Sequence, residues 1–214
     1  NDDKTITTEY CSKYGFKEGG YYYFFNVLEE LDIPGEYYID RDNGILYFYP
    51  PDENENSKIM LSTSNENIIS ITEKASNIIV DGLTLQGTRT DTLNVAGENC
   101  KIVNCTVKNA ADCGINVSGK NNLVENCEVA FIGKDAVVLS GGSAEGFVYG
   151  NNTVTNNSLH DYGEIQKTYI AGVNLSGIGN TVSHNEIYNA PHMGVFYTGN
   201  ENVMEYNYIH DVVL

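Results

Sequence analysis

Ile102-Val103-Asn104-Cys105-Thr106-Val107 and Val124-Glu125-Asn126-Cys127-Glu128-Val129 are one phrase written twice, 22 residues apart. It recurs on both sides. Segments ending in Leu85, Val107, Val129, Leu159, Ile187 and Ile209 follow one another at steps of 22, 22, 30, 28 and 22 residues. Five positions before each end stands Val80, Ile102, Val124, Val154, Val182 or Met204, a second apolar column. Two positions before each end stands a smaller or amide residue: Leu83, Cys105, Cys127, Asn157, Asn185 or Asn207. A fixed period of this length marks units that bury their apolar side only by stacking on one another.

Beyond this phrase, each unit carries a second strand. Leu93, Ile115, Val137, Val173 and Val195 are each followed two residues later by Val95, Val117, Leu139, Leu175 and Tyr197. Alternation at period two describes half-buried strands. Each strand ends in a small residue and glycine: Ala96-Gly97, Ser118-Gly119, Ser140-Gly141, Ser176-Gly177 and Thr198-Gly199. A glycine fixed at a corner points to a backbone other residues resist. Short β-branched strands, polar corners and no helical period predict an all-β right-handed parallel β-helix, a solenoid of about six coils stacked roughly 4.8 Å apart. Asn157, Asn185 and Asn207 read as an inward amide ladder.

The solenoid is expected over residues 77–214, with residues 1–76 as a β-rich cap and lead-in that covers its first coil. In that lead-in Tyr21-Tyr22-Tyr23-Phe24-Phe25 reads as an aromatic strand and Val27 to Leu31 as a helical turn. Glu36 to Tyr49 reads as a hairpin closed at Asp42-Asn43-Gly44, Asp52 to Ser57 as a loop, and Ile59 to Leu61 and Ile68 to Ile71 as strands entering the stack. The chain stops at Leu214 within a coil whose second strand is missing, so a piece of a longer solenoid is expected, or end-to-end self-association through an uncapped last coil.

Composition narrows the partners. The 214 residues carry 12 Lys and Arg against 29 Asp and Glu, a net charge of −17 at pH 7. Such a surface repels phosphate backbones and anionic headgroups, so neither nucleic acid nor a membrane is an expected partner. No apolar run is long enough to span a bilayer. Cys11, Cys100, Cys105, Cys113 and Cys127 form no CxxC pair and read as buried thiols.

Chemistry is expected in the turns between the first and second strands, which vary most. Their first residues form the column Gln86, Lys108, Ala130, His160, Tyr188, His210, and their second the column Gly87, Asn109, Phe131, Asp161, Asn189, Asp211. Two His-Asp pairs therefore recur on one face. Asp161 and Asp211 lie two coils apart, about 9–10 Å along the stack, near the separation that leaves room for a water between two carboxylates. Asp135 is a third catalytic candidate. His160, Glu164, Tyr169, His192, Phe196 and His210 are candidates for substrate binding, the carboxylate and imidazoles through hydrogen bonds and the rings of Tyr162, Tyr169, Tyr188 and Phe196 through sugar stacking. Simpler readings stand beside these: His-Asp as an Asx-type turn, Asp135 with Lys134 as an exposed ion pair. No metal-ligand motif is present and no cofactor is called for; calcium alone is left open.

The lead-in Asn26-Val27-Leu28-Glu29-Glu30-Leu31-Asp32-Ile33-Pro34-Gly35-Glu36-Tyr37-Tyr38-Ile39-Asp40-Arg41, followed by Gly44-Ile45-Leu46-Tyr47, resembles that of bacterial right-handed β-helix carbohydrate-active proteins. Together with Asn189-Ala190-Pro191-His192-Met193-Gly194 and Glu205-Tyr206-Asn207-Tyr208-Ile209-His210-Asp211, it looks like glycoside hydrolase family 141, the α-L-fucosidase and xylanase group. Two departures stand out: Tyr37 replaces a common Trp, and the acidic, glycine-containing segment that follows the family's His-Asp is lacking. The resemblance implies a secreted or cell-surface enzyme that cleaves a plant or microbial polysaccharide with a carboxylate acid and base. It carries His160, Asp161, His192, His210 and Asp211 over as residues lining the site. A polysaccharide lyase or epimerase of the same architecture is the alternative, as is a non-catalytic glycan-binding solenoid.

Overall fold

The computed structural model describes residues 7, 9, 10, 15–20, 22, 24–51 and 59–213. The chain forms two compact units, Asn1–Lys58 and Ile59–Leu214. The second unit is a parallel β-helix with three strands to the coil. Sheet 1 holds Ile79–Asp81, Lys101–Val103, Leu123–Glu125, Thr153–Thr155, Thr181–Ser183 and Val203–Glu205 in stacked order. Sheet 2 holds Thr84–Thr88, Thr106–Ala110, Glu128–Ile132, Ser158–Tyr162, Glu186–Ala190 and Tyr208–Val212. Sheet 3 holds Ile69–Ile71, Leu93–Val95, Ile115–Val117, Val137–Leu139, Ala171–Leu175 and Met193–Tyr197. Ile69–Ile71 pairs with Leu93–Val95, so the stack takes in a strand from ahead of residue 77.

Three strands replace the two expected, and the reason lies in the odd spacing of the apolar columns. Ile102 and Val107 are five residues apart, so on one continuous strand they would face opposite sides. A left-handed residue between them absorbs the odd position: Gly82, Asn104, Asn126, Asn156, His184 and Tyr206 all have φ between 54° and 69°. Asparagine and glycine tolerate that region; histidine and tyrosine adopt it in the two upper coils at a cost. Both columns then point inward, where Ile102, Val107, Val124, Val129, Val154, Leu159, Val182 and Ile187 are buried. Full burial of such a side chain contributes about 1.5–3 kcal/mol each.

The amide ladder is present. The Asn157 amide N–H donates to Asn185 Oδ1 at 3.0 Å, and Asn185 N–H to Asn207 Oδ1 at 3.0 Å. The Nδ2 groups of Asn157 and Asn185 donate to the carbonyls of Val124 and Val154. A second ladder at the other corner runs Asn122, Asn152, Asn180, Asn202, each side-chain oxygen accepting the backbone N–H of the coil before it at 2.8–3.1 Å. These corners leave backbone groups that no sheet bond reaches, and the buried amides satisfy them.

The corner glycines serve two purposes. Gly141, Gly177 and Gly199 have φ of 123°, 79° and 89°. Gly97 and Gly119 are not left-handed; a Cβ there would strike the backbone carbonyl of the neighbouring coil. The two long steps are insertions rather than broken coils: a small hairpin, Gly142–Ser143 with Val148–Tyr149, and a loop over residues 163–170.

In the first unit Leu28–Glu30 is a 3-10 turn, and Tyr37–Asp40 pairs antiparallel with Ile45–Phe48 as the sequence predicts. Asp40 closes the hairpin by accepting from Asn43 Nδ2 and from the backbone of Asp42 and Asn43, which holds its carboxyl below the usual range. Tyr22, Phe24 and Phe25 lie in no strand, contrary to expectation, and Ile59 to Leu61 is likewise irregular. Tyr22, Phe24 and Phe25 are all exposed, so they lack the half-buried surface on which an aromatic strand packs. Tyr21, Tyr23 and the loop Asp52 to Ser57 lie outside the described residues. No helix among the described residues is long and apolar enough to cross a membrane.

Candidate functional site

Sheet 2 builds the site. Its strands do not end where the turns were expected to begin but run on through the His-Asp positions, since Ala130, His160 and Tyr188 pair in register and so do Ile132 and Tyr162. The strand continues because every coil makes the same kink: Gly87, Asn109, Phe131, Asp161, Asn189 and Asp211 all have φ between 47° and 81°. A bulge shared by all members keeps the ladder bonds while turning one side chain per coil outward. Asp161 and Asp211 are therefore outward residues of stacked bulges.

Outside this sheet a column of rings runs up the stack. His160 stacks on Tyr188 with centroids 4.8 Å apart, and Tyr188 on His210 at 5.0 Å with planes 4° apart. Both faces of Tyr188 are thus occupied, and Tyr162 is buried with its hydroxyl donating to the Met193 carbonyl at 2.8 Å. Neither offers a face to a sugar. Each histidine is bracketed by carboxylates: His160 Nδ1 meets Asp161 Oδ2 at 2.6 Å and its Nε2 faces Glu128 at 3.5 Å. His210 repeats this with Asp211 at 2.8 Å and Glu186 at 3.4 Å. The hydrogen bond to Asp211, then that to Glu186, raises the His210 pKa above its ordinary value.

Asp161 has a second anchor, since Asn189 Nδ2 on the next coil donates to its Oδ1. Two side-chain partners on two oxygens fix the direction of this carboxylate. It opens on a groove of about 520 Å³ between sheet 2 and the 163–170 loop, lined also by Glu164, Lys167, Thr168, Asn189, Ala190 and Pro191. Glu164 is held at its backbone, whose N–H donates to the Ile132 carbonyl. Of the expected residues, the structure brings Asp161 and Glu164 onto one groove with His160 behind Asp161. Tyr169, 67% exposed, lies on the same loop with its ring 6.0 Å from that of His192. His192 Nδ1 is buried without a hydrogen-bond partner among the described residues.

The remaining candidates stand apart. Asp211 and His210 are two coils up the column from Asp161. Phe196 is half-exposed on sheet 3, beside Asn174 of the coil before it. Asp135 is buried: its Oδ1 accepts from Ala171 N–H at 2.6 Å and its Oδ2 from Asn174 at 3.4 Å, and desolvation raises its pKa. Lys134 pairs with Asp112 at 2.9 Å, not with Asp135. Sequence reasoning placed Asn189 in the turn column and Lys167 near the turns without assigning either to the site, and it passed over Glu128 and Glu186 behind the histidines. The last two lie one coil before their histidines, opposite Ser158 and Tyr208, which stand two residues ahead of His160 and His210, so only the register of sheet 2 brings them there.

Among the described residues one group converges as cation ligands would: Asp91, Asp112 and Cys113, whose donor atoms lie within 4.8 Å of one another. Its members already have uses, Asp91 accepting from Cys113 N–H at 3.1 Å and Asp112 pairing with Lys134. Burial and the surrounding Asp91, Asp135 and Asp112 push the Cys113 thiol far above its usual pKa, which disfavours a thiolate ligand. Cys100, Cys105 and Cys127 are also buried and free, with burial pushing Cys127 up to about 11.

Residues 42–173 and 93–213 match the family described as Right handed beta helix region, and the chain belongs to that family. Its coils accordingly wind in the right-handed sense. No curated protein and no solved structure gave a match.

Proposed function

We propose that the protein is a glycoside hydrolase, with Asp161 and Glu164 as the carboxylate pair across the groove. The observation that carries the reading is the asymmetry of the two. Asp161 is pinned by His160 and Asn189, as a base or nucleophile must be. The Glu164 side chain has no hydrogen-bonding or ionic partner among the described residues, leaving it able to exchange a proton with a leaving oxygen. His160 acts as the positioning residue for Asp161, with Glu128 behind it. Tyr169 supplies an exposed ring beside the groove for the apolar face of a sugar. A largely neutral polysaccharide suits the net charge of −17.

Release of reducing ends from a panel of plant and microbial oligosaccharides tests this. Asp161→Asn and Glu164→Gln should each lower turnover by about 10²–10⁴-fold, while Asp211→Asn, two coils away, leaves it within about threefold. Activity in Asp161→Asn equal to wild type would remove the assignment. A second reading has its own observation: Lys167 lines the same groove, and a lyase or epimerase needs a cation to offset a uronate carboxylate. Ultraviolet-absorbing unsaturated products would select it, and binding without cleavage in every assay would select a glycan-binding module.

A further inference from the structure

The Asp161 groove does not end at Glu164. That side chain also lines a second trough of about 410 Å³ running down the stack, walled by Arg89, Asn109, Phe131 and Ile165, with Ser62 on its far side. Ser62 is fixed there by donating to the Gly87 carbonyl at 2.7 Å. The two depressions share one residue and follow one sheet from the coil of Arg89 to the coil of Pro191, four steps of about 4.8 Å. That length fits an oligosaccharide rather than a single sugar.

Phe131 is out of place on conformational grounds. Its φ is 55°, in a column otherwise filled by Gly87, Asn109, Asp161, Asn189 and Asp211, the residue types that tolerate left-handed backbone. A bulky residue there is strained, and its ring is 50% exposed, so burial does not offset the cost. It meets His160 edge to face at 6.2 Å and stands above the smaller Asn109 and Gly87 positions of the column, which leaves a ring surface over the trough. Arg89 is the second oddity. In a chain with 29 acidic residues its guanidinium has no ion pair among the described residues, although it stands at the trough wall.

We propose that the trough is a substrate subsite: Phe131 is a stacking platform for a sugar ring, and Arg89 reads a single carboxylate on a glycan that is otherwise neutral. This rests on the glycan reading of the neighbouring groove. The net charge of −17 disfavours a polyuronate, whereas one acidic substituent meets one bidentate guanidinium without that penalty.

Binding to the Asp161→Asn protein, whose expected turnover is slow enough to leave the probes intact during a titration, tests the proposal by titration calorimetry. The probes are a neutral hexasaccharide, the same hexasaccharide bearing one uronic acid branch, and an all-uronate hexamer. The branched probe should bind about tenfold tighter than the neutral one, and Arg89→Met should abolish that difference alone. Phe131→Asn should weaken both about tenfold while leaving a trisaccharide unaffected. Asparagine suits the left-handed backbone, as at Asn109 and Asn189, so this variant should melt no lower than its parent and a loss of binding is not unfolding. Unchanged affinities in both variants would overturn the subsite, even if hydrolysis at Asp161 is intact. The expected pattern without cleavage in the wild type would retain the subsite and sink the hydrolase reading. Tightest binding of the all-uronate hexamer would refute the single-acid specificity.

Discussion

Residue by residue, the chain reuses one device: a short polar side chain settles a backbone group that the coil geometry would orphan. Asp135 does so for Ala171 and Asp91 for Cys113. A carboxylate in a variable turn therefore reads like a catalyst in sequence but can be a buried brace, and only contacts separate the two. Asp161 differs because its partners are side chains and its surroundings a groove. The His-Asp pairs were legible as a column; the bracketing by Glu128 and Glu186 needed the sheet register. His210, raised chiefly by Asp211, gives a test by proton NMR. It should titrate above 6.5, and Asp211→Asn should bring it back toward that value. Because the folded pKa is raised, the pair's stabilising effect is complete below the unfolded pKa and lost as pH climbs through the folded one. A His210 that titrates normally in the wild type would show that the bracket does not hold in solution.

Among elements, the strand phrase was readable because each coil repeats both columns in register, and a one-residue slip would turn a whole strand inside out. The corner inside the phrase was less readable, since Asn104 and Asn126 look like any polar strand residue until the five-residue spacing is weighed. The second ladder, Asn122 to Asn202, was hidden because its members follow glycine corners and insertions of different length. The first ladder lapses at Cys127, whose thiol already reaches toward the Ile102 carbonyl at 3.6 Å. That is the bond Asn157 Nδ2 makes to Val124. Cys127→Asn should therefore extend the ladder to Cys105 N–H and stabilise by about 1 kcal/mol, read as a higher melting temperature. A marked fall would mean that packing volume, not hydrogen bonding, governs this column.

For the whole molecule, sheet 2 is a ruler: stacked bulges project one side chain per coil, and the inserted 163–170 loop turns part of that row into a groove. The fold followed from periodicity because every coil obeys the same local rules. The groove did not, because insertion length says nothing about where a loop folds back, and this one brings Glu164 to Asp161 rather than to Asp211. A separate cavity of about 370 Å³ within the first unit, walled by Phe24, Phe25, Tyr37 and Arg41, is the competing place for a sugar. A crystal structure of the Asp161→Asn protein with a bound hexasaccharide decides between them. The sugar chain should lie along sheet 2, with one glycosidic oxygen between residue 161 and Glu164 and one ring over Phe131. Sugar in the first-unit cavity, with the sheet 2 groove empty, would contradict the hydrolase site at Asp161.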